Sequence, residues 1–148
     1  TASSYTGNLT SKSNADSLCN SAKPSGTSQG YAFASFSSTE EIVDLPNTQN
    51  INTNLNIKSS SGKLIAENWS DLLDGSIYMS LESAGVTTNS WWSFSTANGN
   101  WDSTNCSGGT SNSVQGKVGE ATSISSQWLS RTNRSCANNY DLICIAKP

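Results

Sequence analysis

The four cysteines of this chain, Cys19, Cys106, Cys136 and Cys144, constrain its fold more than any other feature. Three of them lie in residues 91–144, a stretch that also holds four of the five tryptophans. An even number of cysteines predicts two disulfides and an oxidising compartment. A structural zinc site is disfavoured because the chain has no histidine and no Cys-x-x-Cys pair. Four cysteines allow three pairings, and spacing alone does not choose among them.

Length and composition predict one ordered domain spanning residues 1–148. Charged residues make up only 13% of the chain, and the abundant tryptophans argue against disorder. Ser, Thr, Asn and Gly dominate, as expected for an extracellular module. The net charge is −3 and the eight Lys and Arg residues are scattered, so no nucleic-acid partner is expected.

The chain contains no apolar run long enough to span a membrane and no signal peptide. We therefore expect Thr1 to begin a mature chain or an excised domain. Contact with a membrane would require an anchor outside this sequence.

Hydrophobic periodicity predicts short helices alternating with short strands. Helices are predicted after a cap at Ser13 or Asn14, after a Ser38–Glu41 capping box and ending before Pro46, and after a cap at Ser70. Strands are predicted at residues 30–36, 63–66, 77–81, 91–94, 126–129 and 140–145. Residues 1–12 are predicted to form an opening strand or loop, residues 47–60 a half-buried strand or extended loop, and residues 107–119 an ordered loop.

Catalytic chemistry has little support in this sequence. The absence of histidine excludes Ser-His-Asp and Cys-His nucleophile systems within the chain. Carboxylate pairs such as Asp71 with Asp74, or Glu40 with Glu41, have the residue types that a glycosidase requires. The same residues are explained by helix starts and by solvent-exposed faces. We expect a protein that is not an enzyme and needs no cofactor.

A polar turn follows the Asn98-Gly99 hairpin signal. Asp102 with Asn98, Asn100 and Asn105 presents oxygen atoms that calcium prefers. Ordinary turn formation explains the same residue types. We therefore predict no metal site here.

The order of the segments resembles a known family. The segments that carry the resemblance are ADSLCNSA, GYAFASFSS, SGKLIAENWSDLLDGSIY, ANGNW, GKVG and LICIA. Together they resemble the endostatin-like domain at the end of collagen XV and XVIII chains. The starting TASSYTGNL and the ADSLCNSA helix are more similar to the endostatin-like domain of leptospiral and related bacterial surface proteins. The resemblance covers nearly the whole chain.

The resemblance implies an α+β fold related to that of C-type lectins. Such a fold has a twisted mixed sheet, two or three short helices, long loops and nested disulfides. Carried over by position, the disulfides are Cys19–Cys144 and Cys106–Cys136.

The better-known ligand sites of this family do not carry over. Endostatin's zinc site uses histidines that this chain lacks. Its heparin surface is a cluster of arginines, and only Arg131 and Arg134 are available in this chain. The calcium tripeptides of C-type lectins are missing, because Asn133-Arg134-Ser135 stands before Cys136 and no Glu-Pro-Asn occurs.

The adjacent Trp91 and Trp92 provide the remaining functional lead. On a strand they face opposite sides, and the resemblance assigns Trp92 to the core. Trp91 is then either an exposed ligand-binding residue, beside Asn89, Asn98, Asn100 and Asp102, or is packed under residues 107–119.

The first functional hypothesis is an extracellular or bacterial cell-surface adhesion module. It would bind a host matrix or serum protein, or a surface glycan, through its long loops. The alternatives are a structural fibre-tip module, such as a homotrimer, and a calcium-independent lectin.

Overall fold

A computed structural model describes residues 3–148, so Thr1 and Ala2 of the predicted opening segment lie outside the described residues. The α-helices are α1 (Lys12–Ser21), α2 (Leu45–Gln49) and α3 (Trp69–Leu72). Residues Cys106–Gly109 form a left-handed helical turn, labelled α4, in which every residue has a positive φ. Short 3-10 helices span Ile42–Asp44 and Ser126–Trp128. The strands are β1 (Ser4–Tyr5), β2 (Gln29–Ala32), β3 (Ile57–Lys58), β4 (Leu64–Ala66), β5 (Trp91–Trp92), β6 (Gln115–Gly119), β7 (Thr132–Ser135), β8 (Tyr140–Asp141) and β9 (Cys144–Lys147).

A mixed sheet with strand order β1-β8-β5-β6-β7 forms the centre of the fold. Strand β5 pairs parallel with β8 and antiparallel with β6, so it lies inside the sheet. Two further antiparallel pairs, β2 with β9 and β3 with β4, lie outside this sheet. The chain is therefore a mixed α+β protein with short helices and open mixed sheets, as the sequence predicts at this coarse level.

The central sheet is covered on both faces. Trp91 and Trp92 are consecutive residues of β5 and therefore point to opposite sides of the sheet. Trp91 packs in the cluster that we call the aromatic core, which contains Phe33, Trp69, Trp91 and Trp128. Trp92 packs in the cluster that we call the cystine core, which contains Cys19, Trp92, Phe94, Cys106 and Cys136.

Both disulfides are present, with the pairing that the resemblance implies. Cys19–Cys144 connects α1 to the first residue of β9 across 125 positions of sequence. Cys106–Cys136 connects the start of α4 to the residue after β7. Each bridge thus joins segments that no short turn connects.

The helix caps differ from those predicted. Ser11, not Ser13 or Asn14, caps α1, and its Oγ accepts a hydrogen bond from the Asn14 amide at 3.0 Å. Asn68, not Ser70, caps α3. Both capping residues have extended backbone, which is what lets a side-chain oxygen turn back to the free amides.

The predicted capping box between Ser38 and Glu41 does not form. Glu41 precedes the 3-10 helix without a side-chain cap, because its carboxylate accepts hydrogen bonds from Asn100 and Trp101 instead. Pro46 does not close the helix either. It lies in the first turn of α2, where a missing amide hydrogen is harmless.

The predicted strand at residues 77–81 is replaced by turns. Ile77 and Leu81 are buried as the alternation predicts. The backbone amides nevertheless bond to scattered partners, including the Ile124 carbonyl from Ile77 and the Ile65 carbonyl from Tyr78. Conversely, the predicted loop at residues 107–119 contains β6. Apolar alternation reports burial, whereas a strand also requires a neighbouring chain to pair with.

Gly7 packs directly against the Cys106–Cys136 bridge. A Cβ atom at this position would lie 2.1 Å from Cys106 Sγ and 2.8 Å from Cys136 Cβ. We expect Gly7→Ala to lower the free energy of unfolding by about 1–3 kcal/mol, because a packed core resists an added methyl group. Chemical denaturation followed by circular dichroism measures the change.

A double-mutant cycle tests this explanation for Gly7. In a Cys106→Ala/Cys136→Ala background the sulfur atoms are gone, so Gly7→Ala should be less destabilising there. An equal loss of stability in both backgrounds would contradict the assignment of the clash to the disulfide.

Candidate functional site

The candidate site lies on a tight hairpin at residues 95–101. Ser95 and Trp101 form a β-bridge, and the Thr96 amide donates to the Asn100 carbonyl at 2.9 Å. Gly99 adopts φ +87°, which glycine accepts without strain and which the Asn-Gly pair predicts. The turn therefore has a defined backbone conformation set by its own sequence.

The hairpin is docked onto the segment that contains Glu41. Glu41 Oε2 accepts hydrogen bonds from Asn100 Nδ2 at 2.9 Å and from the Trp101 amide at 2.8 Å. The Gly99 carbonyl accepts from the Val43 amide at 3.0 Å. These contacts fix the tip of the hairpin against the neighbouring segment. The hairpin therefore loses little conformational entropy when a ligand binds.

Trp101 is the exposed tryptophan of the chain, with 40% of its surface accessible. The other four tryptophans are buried. Asn98 and Asn100 precede it in the same hairpin and are both exposed. The fixed turn thus carries an exposed aromatic ring and exposed amide side chains within four consecutive residues, a combination that suits stacking together with hydrogen bonding.

Asp102 and Asn105 have structural roles in the loop that follows. Asp102 Oδ1 accepts from the Thr104 amide at 2.8 Å, and Oδ2 lies 3.7 Å from Lys117 Nζ. Asn105 is buried, with its Oδ1 accepting from the Gly108 amide and its Nδ2 donating to the Phe36 carbonyl. Asp102 is half-buried at the edge of the hairpin at residues 95–101, which we call the Trp101 turn. These oxygen atoms are thus engaged in turn formation.

Of the two alternatives for Trp91, the exposed one is wrong. Its side chain is 0% exposed, and its ring lies 5.9 Å from those of both Phe33 and Trp128. Its Nε1 donates to the Trp128 carbonyl at 3.1 Å. Strand β5 lies inside a sheet with a core on each face, so neither of its tryptophans reaches the surface.

Asn89 does not belong to the hairpin and lies in a separate cleft. It is exposed and lines a cleft of about 300 Å³ together with Thr87 and Asp141. Asp141 is buried there and accepts hydrogen bonds from Ser4 Oγ at 2.7 Å and Thr87 Oγ1 at 2.5 Å. Of the predicted ligand-binding residues, Asn98, Asn100 and Asp102 thus remain together at the Trp101 turn.

Tyr78 is the other strongly exposed aromatic side chain among residues 3–148. Desolvation, followed by the negative charges of Asp71 and Glu67, raises the pKa of its hydroxyl above the ordinary value. Tyr78 therefore stays protonated through the physiological pH range. Its surroundings are acidic, whereas the Trp101 turn carries amides.

Trp101 was not predicted from the sequence, although a usable signal existed. It follows an Asn-Gly turn by two positions, and a residue next to a hairpin tip has few neighbours to cover it.

No group of three or more His, Cys, Asp and Glu residues within residues 3–148 is arranged to hold a metal ion. In the same part of the chain, no helix has the length and apolar character needed to cross a membrane. No protein-family model matches the sequence, and a search of curated proteins finds no significant match.

Proposed function

We propose that this chain is a non-enzymatic extracellular recognition module that binds a host protein or a surface glycan through the Trp101 turn. Its scaffold would be of the endostatin-like, C-type-lectin-like type and would form one domain. The carrier would be a bacterial surface or fibre protein. The single observation that carries the proposal is the exposed Trp101 on a hairpin fixed by Glu41.

The scaffold assignment is supported by the connections within the fold. A central mixed sheet, short helices and a bridge from the first helix to the last strand agree with what the resemblance implies. Two disulfides and no free cysteine among residues 3–148 support an oxidising, extracellular location.

The recognition role is supported by the cost of leaving Trp101 in water. Burying a tryptophan that is 40% exposed removes apolar area from solvent, and the fixed turn limits the entropy lost on binding. Tryptophan is among the residues most enriched at the energetic centres of interfaces. A polar loop with an exposed, pre-positioned tryptophan is therefore a suitable ligand anchor.

The second candidate function is that of a calcium-independent lectin. Asn98, Asn100 and Trp101 are exposed on one turn, so a sugar could stack on the indole ring while its hydroxyls bond to the amides. Binding by these groups would need no metal ion. Chelator-resistant binding to oligosaccharides, and none to proteins, would favour this candidate.

We predict that Trp101→Ala weakens ligand binding by at least about thirtyfold, corresponding to about 2 kcal/mol. Because the side chain is partly exposed, its free energy of unfolding should change by less than about 1 kcal/mol. The measurement is binding to panels of matrix proteins, serum proteins and glycans, with and without chelator.

Tyr78→Ala is the matched control, since Tyr78 is an exposed aromatic residue in an acidic part of the surface. It should bind like the unsubstituted protein. Equal affinity of the Trp101→Ala variant and the unsubstituted protein would refute the role of Trp101. Loss of binding in both variants would show that the effect is not specific to Trp101.

A further inference from the structure

A groove of the fold lies away from the Trp101 turn. It has a volume of about 560 Å³ and runs between residues 51–60, the segment after α1 and strand β9. Phe33, Trp69 and Trp128 of the aromatic core line it, together with apolar side chains such as Leu55 and Val86. This volume and lining are typical of a small-molecule site.

Two buried indole groups at this groove have no hydrogen-bond partner within residues 3–148. They are Nε1 of Trp69 and Nε1 of Trp128, and both side chains are more than nine-tenths buried. The neighbouring Trp91 Nε1, by contrast, donates to a carbonyl at 3.1 Å. Buried donors without partners are rare in proteins because each is unfavourable. Both nitrogens are shielded from solvent, so an acceptor on a bound molecule would reach them only if the atoms that cover them moved.

The charged side chains that line the groove are all positive. Lys23, Lys58 and Lys147 line it, and no Asp or Glu side chain of residues 3–148 does so. Lys23 and Lys147 donate to backbone carbonyls, which are neutral. None of the three belongs to the ion pairs found among the described residues. A chain with a net charge of −3 thus gathers three of its eight cations at one apolar groove.

We infer that this groove binds a small amphipathic anion. Its apolar body would lie against Phe33, Leu55 and Val86, and its carboxylate or sulfonate would face the lysines. This site is independent of the recognition surface at Trp101.

The test uses anilinonaphthalene sulfonate, a fluorescent amphipathic anion, titrated into the full chain. Saturable binding with one site per chain is expected, and dodecanoate should displace the probe at least tenfold more effectively than uncharged dodecanol. Because this probe also binds loosely folded proteins, the titration is made where denaturation curves show the native state. No saturable binding, or equal displacement by acid and alcohol, would overturn the inference.

A matched pair of substitutions locates the site. Leu55 is 44% exposed and lines the groove, whereas Val114 is 43% exposed and does not. Leu55→Glu should weaken probe binding at least tenfold, while Val114→Glu, with the same change in net charge, should alter it less than twofold. Equal effects of the two substitutions would overturn the assignment.

Lys58→Met provides a second test, with Lys63→Met as its control. Lys58 lines the groove, whereas Lys63 does not and donates to the Ser83 carbonyl. Lys58→Met should weaken binding of the anion several-fold, and Lys63→Met should leave it unchanged. Trp101→Ala should also leave it unchanged, which separates this site from the proposed recognition surface.

Discussion

Trp91→Ala is expected to lower the free energy of unfolding by about 3–5 kcal/mol, the range for truncating a buried tryptophan. The side chain is fully buried, its ring contacts Phe33 and Trp128, and its Nε1 donates to the Trp128 carbonyl. Truncation would leave a cavity beside β5, inside the central sheet. Denaturation followed by circular dichroism measures the loss independently of tryptophan fluorescence.

Trp101→Ala is the control for this prediction, because the chemical change is the same at an exposed position. The two variants should differ by at least about 2 kcal/mol in stability. A Trp91→Ala protein as stable as the Trp101→Ala protein would contradict the burial of Trp91. Lost ligand binding in a destabilised Trp91 variant would report unfolding rather than a lost contact.

Removing the Cys19–Cys144 bridge with a double alanine substitution is expected to lower stability by about 5 kcal/mol. Removing Cys106–Cys136 should lower it by about 3.5 kcal/mol from chain entropy, because the sequence separation is 30 rather than 125. The shorter bridge also packs against Gly7 and Gly116, so its removal loses contacts in addition. Denaturation of both double variants gives the two values.

Reduction of the unsubstituted protein provides the check on this prediction. Adding reductant should bring its stability down towards that of a variant lacking both bridges, and should leave that variant unchanged. A Cys19→Ala/Cys144→Ala protein of undiminished stability would show that the long bridge contributes nothing, contrary to the chain-entropy argument.

Local features of the fold were predictable where a few neighbouring residues decide the outcome. The Asn98-Gly99 turn forms because its φ requirement is met within the turn itself. Helix α1 forms near its predicted position, but its cap lies at Ser11. Several polar residues precede the helix, and which one caps it depends on where the incoming chain becomes extended. Boundaries are therefore less predictable than the elements.

Features that depend on distant partners were predicted less well. Residues 77–81 alternate like a strand but form bends and turns, because consecutive amides bond to different segments, at Ile124 and at Ile65, and no continuous ladder forms. The sequence pattern predicts a capping box for Glu41 within its own segment. The Glu41 carboxylate instead accepts hydrogen bonds from Asn100 and Trp101, about sixty positions away. A carboxylate has several possible amide partners, and the chain topology selects among them.

The sequence by itself determined that the four cysteines form two disulfides and that the chain combines helices with strands. It also determined that one residue of the Trp91-Trp92 pair is buried. Only the tertiary structure decided that both are buried and that Trp101 is exposed. A strand pattern states which side chains share a face, but not what covers that face. The cover over Trp91 comes from Phe33 and Trp128, which are far away in sequence and arrive only when the chain folds.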